Sequence, residues 1–423
     1  MPAAASPLYK WYLVGLLFLV GALNYGDRTA ISSVFPLLRS DLHASDVGLG
    51  AIGTVFLWAY ALASPFAGYL ADRVSRSRTI VVSLAAWSAV TLATGLVTSL
   101  GQLLVTRLLL GLAEAAYLPA AIALIADYHS SRTRATAIGF HTAGLTFGLI
   151  AGGTGAGYLG QHFGWRAGFF TLGAAGLALA LLAHVCLRDN APAGTRPLSA
   201  PPPMRRSVAK LLAIPSCIII ISEAMIVSVG TWIFLNWLPL YFKETFRMSL
   251  AAAGFAGTFM LQGAATLGVI LGGYLSDAVA GRQPRRRMAI QALLYVVSAP
   301  FLLVFLARPQ LAALNTSIFL FSLFGRAGTT NETPLLCDLL APQFRSTAIG
   351  LMNTFNCFAG GVGVLVAAFL KSTLGLSGVF AGISGMMLIS AGLAAAGYFF
   401  FLKRDLLRRE QEACLDHDSC FAG

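Results

Sequence analysis

Twelve apolar stretches of membrane-crossing length follow one another along the 423-residue chain, with short polar or Gly/Pro-rich breaks between them. They fall near residues 11–38, 48–70, 79–97, 101–126, 135–158, 166–187, 212–242, 251–275, 288–306, 312–338, 346–371 and 377–402. Lipid offers no partner to backbone N–H and C=O groups, so a chain patterned this way folds as a bundle of helices in a bilayer. The expected fold class is an all-α polytopic membrane protein with twelve transmembrane helices. Charged residues are 11% of the chain, against about 25% in a soluble protein, which excludes an ordinary soluble enzyme. The 57% hydrophobic content excludes disorder. The first run, 11–33, is too long for a signal-peptide core and lacks a small-residue cleavage site, so it reads as a retained span.

An even number of spans puts both termini on one side. With the N-terminus inside, the inner breaks hold 20 of the 29 Lys and Arg residues and the outer breaks hold 6. The other three, Arg28, Arg107 and Arg326, fall within spans. Cytoplasmic loops concentrate Lys and Arg, so both termini are expected in the cytoplasm, with the protein in the cell (inner) membrane. The net charge of +12 then reports topology, and no nucleic-acid partner is expected. The longest polar break, 188–211, is basic and carries Pro192, Pro197 and Pro201 to Pro203. It reads as a cytoplasmic linker between six-helix bundles at 1–187 and 212–402, with a tail at 403–423. Six cysteines without CxxC or Cys/His spacing read as reduced thiols, and neither metal nor cofactor is expected.

The two halves repeat. Residues 68–78 read GYLADRVSRSR and 273–287 read GYLSDAVAGRQPRRR, so Gly-Tyr-Leu-x-Asp recurs 205 residues on. Asp127, Arg134, Thr136, Ala137, Ile138 and Gly139 recur as Asp338, Arg345, Thr347, Ala348, Ile349 and Gly350, each 211 residues on. Both matches sit at cytoplasmic helix ends in equivalent places. Parallel six-helix halves with a site between them are a transporter architecture. GYLADRVSRSR resembles the loop 2–3 signature of the major facilitator superfamily, with a degenerate copy in loop 8–9, and the resemblance covers the whole chain. In physical terms Gly68 permits close helix approach. Asp72 can cap a helix end or pair with an Arg, while Arg73, Arg76, Asp127, Arg134, Asp277, Asp338 and Arg345 form the gating and loop-signature set.

An ionisable side chain in a span costs at least ~2.5 kcal/mol, so each is a functional candidate. The set is Asp27, Arg28, Arg107, Glu114, Glu223, Arg326 and Glu332, with His141 and His184 behind it. Adjacent residues on a helix point ~100° apart, so Asp27 and Arg28 face different neighbours. Arg107 and Glu114 are seven apart on span 4, hence on one face. The geometry permits Arg107 to meet Asp27 or a substrate anion while Glu114 meets Arg28. Two structural ion pairs between spans 1 and 4 would use the same contacts.

Asn-Tyr-x-Asp-Arg (Asn24, Tyr25, Asp27, Arg28) with Arg-x6-Glu-Ala-x-Tyr (Arg107, Glu114, Ala115, Tyr117) resembles the anion:cation symporter branch. That branch includes the galactonate and hexuronate carriers and is related to the vesicular glutamate and sialin group. The resemblance implies that Asp27 and Glu114 titrate during proton coupling and that Arg28 helps bind a carboxylate. Spinster lipid carriers share a similar Asp-Arg and Arg/Glu arrangement, whereas residues 345–363, RSTAIGLMNTFNCFAGGVG, resemble the symporter branch more closely. An anion leaving water needs its hydration replaced, and Arg offers a bidentate fork for a carboxylate. Tyr25, Tyr117, His141, Asn236 and Asn353 join Arg28 and Arg107 as candidate substrate contacts.

Glu223, with Ser222 and Ser228 nearby, is a candidate second proton site. Arg326 and Glu332 are six apart and off a common face, so each is expected to find other partners, and gating stands beside substrate contact. Asn236-Trp237-Leu238-Pro239-Leu240-Tyr241 reads either as a broken helix end facing a cavity or as an interfacial aromatic belt. Gly144, Gly148 and Gly152 have the GxxxG spacing of closely packed helices. The drug–proton antiporter signature wants a Pro before its final glycines, and Ile150 and Ala151 stand there instead. The expectation is a monomeric, proton-coupled symporter importing a small organic anion, a carboxylate or sugar acid. A spinster-like carrier of lysophospholipid or another amphiphile is the alternative, with a multidrug antiporter behind it. No nucleophile–base pair or phosphate loop points to an enzyme.

Overall fold

The computed structural model describes residues 7–189, 204–280, 283–307 and 309–421, and among them every regular element is helical. Ten helices each form one span: Leu8–Ser33, Asp46–Phe66, Arg76–Thr94, Leu100–Tyr128, Arg132–Phe163, Trp165–Cys186, Pro215–Phe246, Leu250–Ala280, Arg286–Ala307 and Leu311–Leu339. An eleventh stretch, Pro342–Gln411, holds spans 11 and 12. Its helix is interrupted at Gly375, where φ of 64° lets the chain turn without a Cβ clash. That makes the twelve spans expected from the apolar pattern. The Pro-rich segment 190–203, the core of the expected linker, lies outside the described residues.

Local chemistry moved two boundaries. Span 1 ends at Ser33, short of the predicted 38, and a separate helix, Phe35–Asp41, begins with Pro36 in its first turn. A proline cannot donate to the preceding ladder but suits a helix start. Span 7 is not broken at Pro239, because Pro215–Phe246 is continuous through it. One missing backbone donor is a tolerable loss in a membrane helix.

The interruptions fall instead in spans 4 and 10. Span 4 turns at Ala115 (φ −59°, ψ −29°) and Ala116 (φ −82°, ψ −17°), directly after Glu114. Span 10 turns at Thr330 (φ −58°, ψ −23°) and Asn331 (φ −84°, ψ −16°), directly before Glu332. The sequence repeat thus extends to backbone conformation. Arg134 Nε donates to the His129 carbonyl at 3.3 Å and Arg345 Nε to the Leu340 carbonyl at 3.2 Å, both pairs 211 residues apart. Gly164, between spans 5 and 6, has φ of 82° and lies 211 residues before Gly375.

The described residues group into two units. The first is Met1–Pro197, Trp232–Gln262 and Gly360–Leu376, so parts of spans 7, 8 and 11 pack with spans 1 to 6. The second is Leu198–Thr231, Gly263–Ala359 and Ser377–Gly423, with a core around Cys217, Ile220, Met288, Leu336 and Phe344. Within the first unit, spans 1 and 5 lie backbone to backbone. A methyl group added at Gly144, Gly148 or Gly152 would strike the main chain at Phe18, Ala22 or Gly26. Thr29 Oγ1 also donates to the Leu149 carbonyl at 2.8 Å. The GxxxG spacing in span 5 therefore carries the helix that holds Asp27 and Arg28. Cys186, Cys217 and Cys337 are free thiols.

Candidate functional site

The first unit gathers Asp27, Arg28, Arg107 and Glu114 in its interior. Arg28 Nε and Nη2 each lie 3.0 Å from Glu114 Oε2, and the two side chains are 5% and 0% exposed. Arg28 Nη2 also donates to Asn24 Oδ1 at 3.4 Å. The guanidinium carbon stands 4.4 Å from the Tyr25 ring centroid, 4.8 Å from Tyr60 and 5.2 Å from Phe56. Three aromatic faces therefore compensate part of the lost hydration of this cation. Tyr25 meets Arg28 because the two are three apart on one helix.

Arg107 does not form an ion pair with Asp27. Its Nη2 donates to Thr94 Oγ1 at 3.3 Å, its carbon stands 5.5 Å from the Phe169 ring, and its Nε has no hydrogen-bond partner. Asp27 accepts from Thr91 Oγ1 at 3.1 Å, and its Oδ1 has no partner. Thr91 and Thr94 are three apart on span 3, so one helix face supplies a hydroxyl partner to each charge. Both threonines escape the sequence reading, since a Thr in an apolar span carries no signal of its own.

Arg28 and Arg107 open onto one cavity, which Asn236, Trp232, Phe56 and Gly53 also line. Its free space is about 10 Å³, roughly one water. Gly53 leaves room for the Asn236 amide, whose Nδ2 donates to the Trp232 carbonyl at 2.9 Å. Trp237 and Tyr241 are not an interfacial belt, because both are buried and Trp237 Nε1 donates to the Val364 carbonyl at 3.2 Å. Tyr117 Oη and His141 Nδ1 both lie on the Leu17 carbonyl, at 3.0 and 3.1 Å, and neither lines this cavity.

One end of the first unit carries a ring of four charges. Arg39 pairs with Asp46 and, at 3.0 Å, with Glu244, while Lys371 lies 3.0 Å from Asp46 and 3.1 Å from Glu244. These residues join the ends of spans 2, 7 and 11 to the helix after span 1. Beside the ring, the Trp165 indole N–H at 2.9 Å and the Arg166 guanidinium at 2.7 Å hold the Asp41 carboxyl below the usual carboxylate range. Each of these residues sits in a polar break, where a charge needs no explanation, so the ring is invisible from sequence.

At the other helix ends, Arg76 lies 2.5 Å from Asp127 and donates to the Ala123 carbonyl at 2.7 Å. The side chains of Gly68, Asp72 and Arg73 lie outside the described residues. In the second unit Arg287 lies 2.6 Å from Asp277 and donates to Ser276 Oγ at 3.0 Å. Asp338 lies within electrostatic reach of Arg287 and Arg345. Asn353 is exposed on span 11 and Arg326 is half-buried on span 10, whereas Glu223 and Glu332 are buried and accept from two linked residues of span 9, Gln291 and Tyr295 respectively.

Residues 17–296 and 224–414 match the Major Facilitator Superfamily. An MFS-type efflux pump of Mycolicibacterium smegmatis is 29% identical, with 87% of this chain and 86% of that protein aligned. A probable galactarate/D-glucarate transporter, GudP of Bacillus subtilis, is 25% identical over 97% of this chain and 96% of its own. In fold, the chain is similar to the crystal structure of a bacterial homolog of the human lysosomal transporter spinster in an inward-facing, unoccupied conformation. The TM-score is 0.76 at 22% identity, covering 96% of this chain and 99% of that one. With the family match spanning both halves, the chain belongs to the Major Facilitator Superfamily and is a multi-pass membrane transporter.

Proposed function

We propose that this transporter carries a small organic anion bearing more than one oxygen-rich acceptor group, a sugar acid or short dicarboxylate, together with protons. The observation that supports this most is the pair of buried guanidiniums on one cavity, of which Arg28 is in direct contact with a carboxylate and Arg107 hydrogen-bonds a threonine instead. An arginine that makes no direct ion pair in a membrane interior is costly, and an anion supplies the contact. The galactarate/D-glucarate relative transports molecules of this chemistry.

The coupling follows from competition. A substrate carboxylate arriving at Arg28 displaces Glu114, whose freed carboxylate then takes a proton because a buried charge cannot stay unpaired. Asp27, with one oxygen unpartnered, is the second proton carrier on the same unit. Alternating exposure of the site to the two membrane faces completes the cycle. On this reading the protein works as a monomer of two six-helix bundles, 1–187 and 212–402, joined by the linker 188–211. The tail 403–423 and both termini lie in the cytoplasm. The cycle imports the anion across the inner membrane. Export is the second reading, and the M. smegmatis relative favours it.

Uptake of labelled D-glucarate into proteoliposomes under an imposed pH gradient tests the proposal. Accumulation is expected when the uptake side is acidic. Asp27→Asn and Glu114→Gln should abolish the pH-driven accumulation yet retain exchange of internal for external substrate. Arg28→Ala should lose both. Equal uptake of the neutral hexitol would overturn the anion reading, and undiminished gradient-driven uptake in Asp27→Asn would overturn the coupling. Accumulation with the gradient reversed would replace import by export.

A further inference from the structure

Span 9 carries Gln291 and Tyr295 four apart on one face. In the second unit they bridge two carboxyl groups from neighbouring spans. Gln291 Nε2 donates to Glu223 Oε2 at 2.7 Å and to Tyr295 Oη at 3.2 Å. The Tyr295 hydroxyl in turn donates to Glu332 Oε1 at 3.0 Å. Glu223, Gln291 and Tyr295 are 0% exposed and Glu332 is 8% exposed.

Two acids so placed need a counter-charge, and among the described residues neither has one in direct contact. No Lys, Arg or His among the described residues forms an ion pair with either carboxyl. Arg326 reaches Glu332 only electrostatically, and the ionisable groups facing Glu223 are Glu332 and Tyr295. Both carboxylates cannot be charged together at this spacing without a large penalty. The cluster also has too many acceptors, since Glu223 Oε1 and Gln291 Oε1 have no donor at all. One particle cures both faults: a proton removes a charge and turns an acceptor into a donor. A metal cation would need about six oxygens, far more than the two left open. Of the two acids, Glu332 has the phenol donor and the nearby Arg326, so its charge is the better compensated.

We propose that Glu223 is a proton-carrying residue, forming with Gln291, Tyr295 and Glu332 a second proton site in the C-terminal half, separate from Asp27 and Glu114. This site does not depend on which substrate is carried. It gives the transporter a proton whose binding does not depend on a substrate carboxylate competing for an arginine.

Infrared difference spectra of the full-length protein in liposomes, recorded across pH in H2O and D2O, read the protonated carboxyl directly. The wild type should give a protonated-carboxyl C=O stretch that shifts to lower frequency in D2O. Glu223→Gln should remove that band, while Asp27→Asn and Glu114→Gln keep it. Tyr295→Phe, which retains every carboxyl, should shift its frequency, and this variant serves if Glu223→Gln fails to insert. A band unchanged in Glu223→Gln, or unmoved in Tyr295→Phe, would overturn the proposal. So would loss of the band on adding sodium chloride at constant pH, which would assign the site to an alkali cation. A failure of glucarate uptake leaves these spectra unaffected, so the two proposals fail separately.

Discussion

Arg28 owes its buried position to five neighbours on three spans: Tyr25 and Asn24 on its own helix, Phe56 and Tyr60 on span 2, and Glu114 on span 4. Removing one member of a buried ion pair strands the other, at a cost of about 3–5 kcal/mol. Arg28→Gln alone and Glu114→Gln alone should therefore each lower the thermal midpoint of the detergent-purified protein, the arginine change more, because its loss strands a charge and empties the aromatic cage. The double variant Arg28→Gln/Glu114→Gln should be more stable than the sum of the singles predicts, by more than ~1 kcal/mol. Additive effects in that cycle would show that the pair contributes no coupling. Sequence spacing permitted Glu114 to meet Arg28 and left Arg107 either Asp27 or a substrate anion. The choice came from span 3, which sets Thr91 on Asp27 and Thr94 on Arg107.

The helix that carries Asp27 and Arg28 is held by a seam rather than by side-chain interdigitation. Gly144, Gly148 and Gly152 let spans 1 and 5 approach until their backbones touch. A single added methyl in such a seam forces the helices apart, typically costing about 1–3 kcal/mol. Gly148→Ala should lower the thermal midpoint and cut transport, because it moves the helix bearing the arginine. Gly155→Ala on the same span meets nothing within 4 Å and serves as the control. Its midpoint should stay unchanged or rise slightly, since alanine is the better helix former. Equal loss in both variants would mean that glycine content, not the seam, matters. The GxxxG spacing was legible in the sequence because it is a property of one helix. Its partner was not, since any of several spans could have offered a small-residue face. The turns in spans 4 and 10 had a sequence signal that the apolar pattern overrode: Pro119 and Pro334 cannot donate to the carbonyls four residues back, at Ala115 and Thr330, where the helices are interrupted.

Across the whole molecule the repeat unites features that look unrelated locally. Arg134 and Arg345 tie back to the carbonyls five residues before them, and Gly164 and Gly375 turn the chain in the left-handed region, all at a spacing of 211 residues. Duplicated halves of six spans return the chain to the side where it began. The surplus of Lys and Arg at one set of helix ends then predicts both termini in the cytoplasm. Alkaline phosphatase fused after either terminus should be inactive, and green fluorescent protein at the same points should fluoresce. The phosphatase inserted between spans 7 and 8, after Phe246, should be active. An active phosphatase at either end would reverse the orientation and exchange the faces assigned to import.

By itself the sequence determined the number of spans, their likeness in two halves, and the short roll of charges that had to be buried. These follow from composition and from periodicity within single helices, and the cost of placing polar groups in lipid enforces them. Tertiary structure alone decided the partners. It joined Arg28 to Glu114 across 86 residues and Lys371 to Asp46 across 325. It also put Gln291 and Tyr295 between Glu223 and Glu332. A helix's periodicity tells which residues share a face, but its rotation and its height beside a neighbour come only from packing.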